Sequence, residues 1–124
     1  MMLLDSHVLL FLLADGGQQI GTDARQQISV APRVFVSIAS IWELEIKRGL
    51  SKLTLPVADW YSVVERGIEI IGADIDDAVR AGSLPLHHRD PFDRMIIAQA
   101  LNRGLVVATR DRAFKSYGVP ILWT

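Results

Sequence analysis

The stretch DPFDRMIIAQALNRGLVVATRD, residues 90–111, holds a helix, a stop, a strand and an acid in that order. Asp90 before Pro91 has the form of a helix N-cap followed by the first helical residue, where the missing proline N–H costs nothing. An apolar run then carries a long helix through Pro91–Arg103, and Gly104 supplies the left-handed turn that ends it. Leu105–Thr109 is short and rich in valine, which suits a buried strand. Asp111 stands just beyond that strand.

Working outward, the same alternation fills the chain. Met1–Leu4 reads as a buried strand that stops at Asp5, followed by a helix over Ser6–Ala14 that ends before Gly16 and Gly17. Thr22–Ala31 is a weaker helix broken by Pro32, and Arg33–Ser37 is β-branched and aromatic enough for a second strand. Helices are predicted over Ile38–Leu50, Ala58–Gly67 and Asp74–Leu84, with a strand at Glu69–Gly72. A loop carrying Pro85, His87 and His88 leads into the segment quoted above. A short helix over Asp111–Tyr117 and a strand over Val119–Trp123 follow it. Strands alternating with helices imply right-handed crossovers and a mainly parallel sheet covered on both faces, an α/β fold of three layers. Residues 1–124 form one domain, with no linker or repeat.

Half of the residues are apolar, so a packed core is expected. The absence of cysteine removes disulfides, thiolate metal sites and cysteine nucleophiles, and fits a reducing cytoplasm. Met1–Ala14 is apolar, but it lacks a basic leader and is interrupted by Asp5, Ser6 and His7. It reads as neither a signal peptide nor a membrane span. The chain has 13 Lys and Arg against 14 Asp and Glu, a net charge of −1, which argues against a strongly basic nucleic-acid binder. Without Asp5, Glu43, Asp93 and Asp111 the balance becomes +3, and six of the basic residues fall between Arg89 and Lys115. An acidic hole ringed by basic residues would look neutral in such a total.

Asp5 and Asp111 both follow a predicted strand, and open parallel sheets form their sites beyond the carboxyl ends of strands. Either residue alone reads equally well as a helix cap. Asp90 is explained by capping. Asp93 is explained less fully, because it precedes the core-like Met95, Ile96, Ile97 and Ala98, where a charge needs a partner or a cation. Thr109, two residues from Asp111, shares its side of the strand end. Glu43 lies at the edge of the apolar arc of its helix and pairs with Lys47 at i,i+4, while Glu45 lies inside the arc. The helical wheel does not choose between the two glutamates. Glu45 is expected to contact another helix or a partner chain. His87 and His88 lack companions at zinc-ligand spacing, so phosphate contact or exposure is their ordinary reading. Trp42, Trp60 and Trp123 read as core or interface residues.

Five segments in register resemble the PIN domain, and within it the VapC-type toxins of bacterial type II toxin–antitoxin pairs. They are Leu-Leu-Asp-Ser-His at 3–7, Ser-Ile-Ala-Ser-Ile-Trp-Glu at 37–43, Ile-Lys-Arg-Gly-Leu-Ser-Lys-Leu at 46–53, Asp-Pro-Phe-Asp-Arg-Met-Ile-Ile-Ala-Gln-Ala at 90–100 and Thr-Arg-Asp-Arg-Ala-Phe at 109–114. The resemblance spans essentially the whole chain. It implies a catalytic set of Asp5, Glu43, Asp93 and Asp111, choosing Glu43 over Glu45, with Ser6 and Thr109 as supporting hydroxyls and Asp90 as a cap. It further implies an endoribonuclease that hydrolyses RNA phosphodiesters with a metal-activated water, a homodimer, and an antitoxin partner lying across the acidic groove. Crowded carboxylates and hard oxygen donors suit Mg²⁺, with Mn²⁺ as a substitute, held by Asp5, Asp93 and Asp111. Lys47, Arg89, Arg94, Arg110, Arg112 and Lys115 are candidates for the RNA backbone. The alternatives are a PIN nuclease in RNA processing outside a toxin pair, a PIN-like module without activity, and a receiver-type Mg²⁺-binding signalling domain. A receiver domain needs an acidic pair after the first strand and a late lysine, whereas a single Asp follows the first strand here and Arg110 stands where the lysine would be.

Overall fold

The computed structural model describes all residues, Met1–Thr124. Its strands are β1 (Met2–Leu4), β2 (Val34–Ser37), β3 (Ile68–Ile71), β4 (Val106–Thr109) and β5 (Ile121–Trp123). Its helices are α1 (Ser6–Asp15), α2 (Thr22–Val30), α3 (Ile38–Gly49), α4 (Tyr61–Glu65), α5 (Ile75–Ser83) and α6 (Pro91–Arg103), with a 3-10 helix over Arg112–Tyr117. All strand pairs are parallel, in the order β3-β2-β1-β4-β5.

The alternation of side chains along each strand builds two cores, one on each face of the sheet. Leu4, Val36 and Ala108 join Val8, Leu9, Leu44 and Val63, so α1 to α4 cover one face. Leu3, Phe35 and Val107 join Ile96, Ile97 and Phe114, so α6 and the 3-10 helix cover the other, with α5 lying against α6. Leu3 and Leu4 are both fully buried, each contributing about 2 kcal/mol of apolar burial. This double burial is why β1 reads as an unbroken apolar run rather than an alternating one.

The structure departs from the expected elements at a few points. The helix expected from Ala58 begins at Tyr61, because Asp59 Oδ1 accepts the Ser62 N–H and holds the preceding residues in a turn. β3 sits one residue earlier than Glu69–Gly72. β5 begins at Ile121 rather than Val119: Pro120 has no N–H for the ladder and offers only its carbonyl, to Val107 N. Glu45 does leave its own helix, but its partner is the Trp60 indole N–H ahead of α4, at 2.9 Å, shared with Arg48. Trp42 and Trp123 are not core residues, being 64% and 46% exposed. No helix is long and apolar enough to cross a membrane.

Candidate active site

β2 and β3 lie to one side of β1, and β4 and β5 to the other. The crevice where the strand order reverses therefore opens between the carboxyl ends of β1 and β4. Asp5 is the first residue past β1 and the N-cap of α1, with Oδ1 accepting the Val8 N–H at 2.8 Å. Its other oxygen accepts the Thr109 hydroxyl from the end of β4. One carboxylate oxygen of Asp5 thus serves the cap and the other ties it to the end of β4. Burial pushes the Asp5 carboxyl above its usual range; the Thr109 and Val8 hydrogen bonds oppose the shift, and the Asp111 charge adds to it.

Glu43 arrives on α3, which starts at the end of β2 under a Ser37 cap. It is 6% exposed, with Oε1 accepting the Ser6 hydroxyl at 2.7 Å and Oε2 lying 3.3 Å from Lys47 Nζ. Asp93 stands in the first turn of α6, placed there by Asp90, whose Oδ1 accepts from Phe92 N and Asp93 N. Burial, and then the charges of Asp90 and Glu43, push the Asp93 carboxyl up to about 7, with His88 pulling the other way. Asp111 caps the 3-10 helix through Ala113 N, and its own N–H donates to Thr109 Oγ1 at 3.0 Å. Thr109 is therefore the hinge between the first and fourth acids.

All four sequence-derived acids meet at this crevice. Asp5 feels the charge of Asp111, and Asp93 feels that of Glu43. Ser6 donates to Glu43, Thr109 donates to Asp5, and Asp90 caps α6. His88, expected to contact phosphate or lie exposed, is instead half-buried among these acids. Its Nε2 lies 2.8 Å from Asp93 Oδ2 and 3.2 Å from Asp111 Oδ2. The available signal was its position two residues before the Asp-Pro cap, where a chain turning into α6 points back at the helix's first turn.

The candidate RNA contacts separate into two groups. Arg94 is a correction: it is 8% exposed and its guanidinium donates to the carbonyls of Ala81, Leu84, Pro85 and His88. It clamps the loop before α6 and has no face left for phosphate. Lys47 is engaged with Glu43, and Arg110 donates to the Gln19 and Thr124 carbonyls while stacking 4.5 Å over Phe11. Arg89, Arg112 and Lys115 are exposed, without an ion pair or side-chain hydrogen bond. Arg110 and Arg112 flank Asp111 and line a cavity of about 270 Å³ with Trp123 and Thr124.

A proton held by Asp93 up to about pH 7 competes with any cation bound there. The sign is fixed by the raised value: the ionised carboxylate is disfavoured, so metal-free stability falls as pH rises from about 4 through 7, and a cation relieves that cost. Calorimetric Mn²⁺ affinity is expected to climb up to about tenfold per pH unit between 5 and 7 and to flatten above.

The PIN domain family model matches residues 2–120. Ribonuclease VapC22 of Mycobacterium tuberculosis is 31% identical over 121 residues, covering 95% of this chain and 92% of that protein. Among solved structures, DNA-bound VapBC from Salmonella typhimurium matches with a TM-score of 0.71 at 23% identity, covering 98% of this chain and 96% of that one. Mycobacterium tuberculosis VapC20, a sarcin-ricin loop cleaving toxin, matches with a TM-score of 0.72 at 17% identity, covering 96% of each chain. The strand order, the four converging acids and these matches agree: the chain belongs to the PIN-domain family.

Proposed function

We propose that this protein is a Mg²⁺-dependent endoribonuclease and the toxin component of a type II toxin–antitoxin pair. The observation that carries the reading is the crowding of Asp5, Glu43, Asp93 and Asp111 at the switch point, with burial and like charge raising two of these carboxyls. Such a set is relieved by a cation. The all-oxygen part of the donor set fits Mg²⁺ or Mn²⁺, with Asp5, Asp93 and Asp111 as the holding residues. A divalent cation held here would lower the pKa of a bound water and polarise the scissile phosphate. Glu43, fixed by Ser6, would serve as a further ligand or as the group that orients the attacking water. Thr109 keeps Asp5 and Asp111 in register. The relationship to Ribonuclease VapC22 supports RNA as the substrate class, and the likeness to the toxin VapC20 supports the role.

Purified protein is expected to cleave RNA with Mg²⁺ and to leave it intact with EDTA, when structured and single-stranded RNAs are compared. Cleavage that persists in EDTA would sink the mechanism. Arg112 is the free cation beside Asp111, so Arg112→Ala is expected to weaken RNA binding and to reduce the slope of log K against log salt by about 0.7. An unchanged slope removes Arg112 from the phosphate path.

The Salmonella typhimurium structure is a VapBC assembly bound to DNA, which supports a cognate antitoxin here. A homodimer is supported by exposed apolar side chains along α3 and α5, Trp42 (64% exposed), Val79 (66%) and Ile75 (81%) among them. Trp42 lines a groove of about 560 Å³ together with Ala78, Ala81 and Gly82 of α5. Cytoplasmic action follows from the same reading, since the RNA and the antitoxin reside there.

A further inference from the structure

Two adjacent histidines precede the Asp-Pro cap, and the fold treats them differently. His87 is exposed, with its ring set edge-on against Tyr117. His88 is half-buried and held from several sides. Its N–H donates to Tyr117 Oη at 2.7 Å, and that hydroxyl donates to the Pro85 carbonyl. Its carbonyl accepts from Arg94 at 3.2 Å. Its ring meets the edge of the buried Phe114 at 6.1 Å. These contacts aim Nε2 at the space between Asp93 and Asp111. One ligand atom from each of the three residues lies within 4.8 Å of the others.

We propose that His88 is a ligand of the divalent cation, binding through Nε2 beside Asp93 and Asp111 and turning an all-carboxylate centre into a mixed nitrogen–oxygen one. This rests on the nuclease reading above. The spacing favours it. Bonds of about 2.1 Å to an octahedral cation put neighbouring ligand atoms about 3.0 Å apart; Nε2 stands 2.8 Å from Asp93 Oδ2, in a hydrogen bond whose proton the cation would displace, and 3.2 Å from Asp111 Oδ2. Two of the three donor separations therefore match edges of one coordination polyhedron, and the supports on His88 reduce the rearrangement that binding requires. The Asp90 N–H approaches Nδ1 at 3.5 Å, the outer limit of a hydrogen bond, which is too weak to commit the ring to the tautomer that carries its proton on Nε2. An imidazole donor favours Mn²⁺ and later first-row cations relative to Mg²⁺.

The test uses the full-length protein with Mn²⁺ alone as the probe. Pulsed electron paramagnetic resonance is expected to show a directly bonded nitrogen in the wild type, in His7→Gln and in His87→Gln, and to lose it in His88→Gln. Mn²⁺ affinity is expected to fall about tenfold or more in His88→Gln, with Mg²⁺ affinity changing much less. Because the nitrogen coupling is read on the unmodified protein, a poorly folded His88 variant leaves the test intact. Mn²⁺ binding without nitrogen coupling, or coupling that survives His88→Gln, overturns the assignment while the nuclease reading stands. Failure of the wild type to bind Mn²⁺ at all would sink both.

Discussion

Asp5→Asn is expected to lower metal-dependent RNA cleavage by at least about a thousandfold, equivalent to about 4 kcal/mol of activation free energy, and to raise the melting temperature of the metal-free protein. The two effects have one origin. Asp5 is 3% exposed, burial already pushes its carboxyl upward, and the Asp111 charge adds to the cost of ionising it. Asparagine keeps the oxygen that accepts the Val8 N–H, so α1 retains its cap. Its amide replaces the oxygen that accepts the Thr109 hydroxyl, and that hydroxyl can turn to accept instead. What is lost is the charge, which is costly without a cation and necessary with one. A residue that served only as a cap would give unchanged stability and unchanged cleavage, since Asn and Asp cap equally well. Melting curves in EDTA and in Mg²⁺ separate the two cases: the wild type should gain stability from Mg²⁺ and the variant should not. Cleavage retained by the variant would remove Asp5 from the site.

The parallel sheet was open to sequence reading because β1, β2 and β4 are largely buried and therefore mostly apolar; the strand order was not, because long-range pairing sets it. Helix ends marked by Asp5, Asp74, Asp90, Gly104 and Gly118 were equally legible, since each cap has a local chemical requirement. Boundaries set by tertiary pairing were not. The late start of α4 depends on an Asp59 turn, and the late start of β5 on a ladder that Pro120 cannot join. In the site, Asp5 and Asp111 were suggested by their strand-end positions and chosen over a plain capping role by resemblance. Glu43 could be separated from Glu45 only by resemblance, because both lie near the apolar arc; the structure distinguishes them by partner, Ser6 for one and Trp60 for the other. His88 and Arg94 escaped because their roles come from a loop folding back onto α6. No periodicity encodes that contact, and a basic residue beside acidic ones reads more simply as a surface charge.

Arg94 carries the largest expected effect on stability, with a consequence for the site. Arg94→Met is expected to destabilise the protein by about 3–5 kcal/mol, since the apolar chain fills the space but leaves the carbonyls of Ala81, Leu84, Pro85 and His88 without their shared donor. For a domain of 124 residues that corresponds to a melting temperature lower by roughly 10–20 °C. Arg94→Lys should recover only a fraction, because one compact ammonium cannot reproduce a planar fork that reaches four acceptors. Since the clamp holds the His88 carbonyl, the folded fraction of either variant should also bind Mn²⁺ more weakly than the wild type, measured well below its melting temperature. The salt dependence of RNA binding should stay at the wild-type slope, in contrast to Arg112→Ala. A phosphate-binding arginine would reverse that pattern, with intact stability and a reduced salt slope. A chain that melts like the wild type without the Arg94 guanidinium would show that the loop before α6, and His88 with it, is positioned by something other than this clamp.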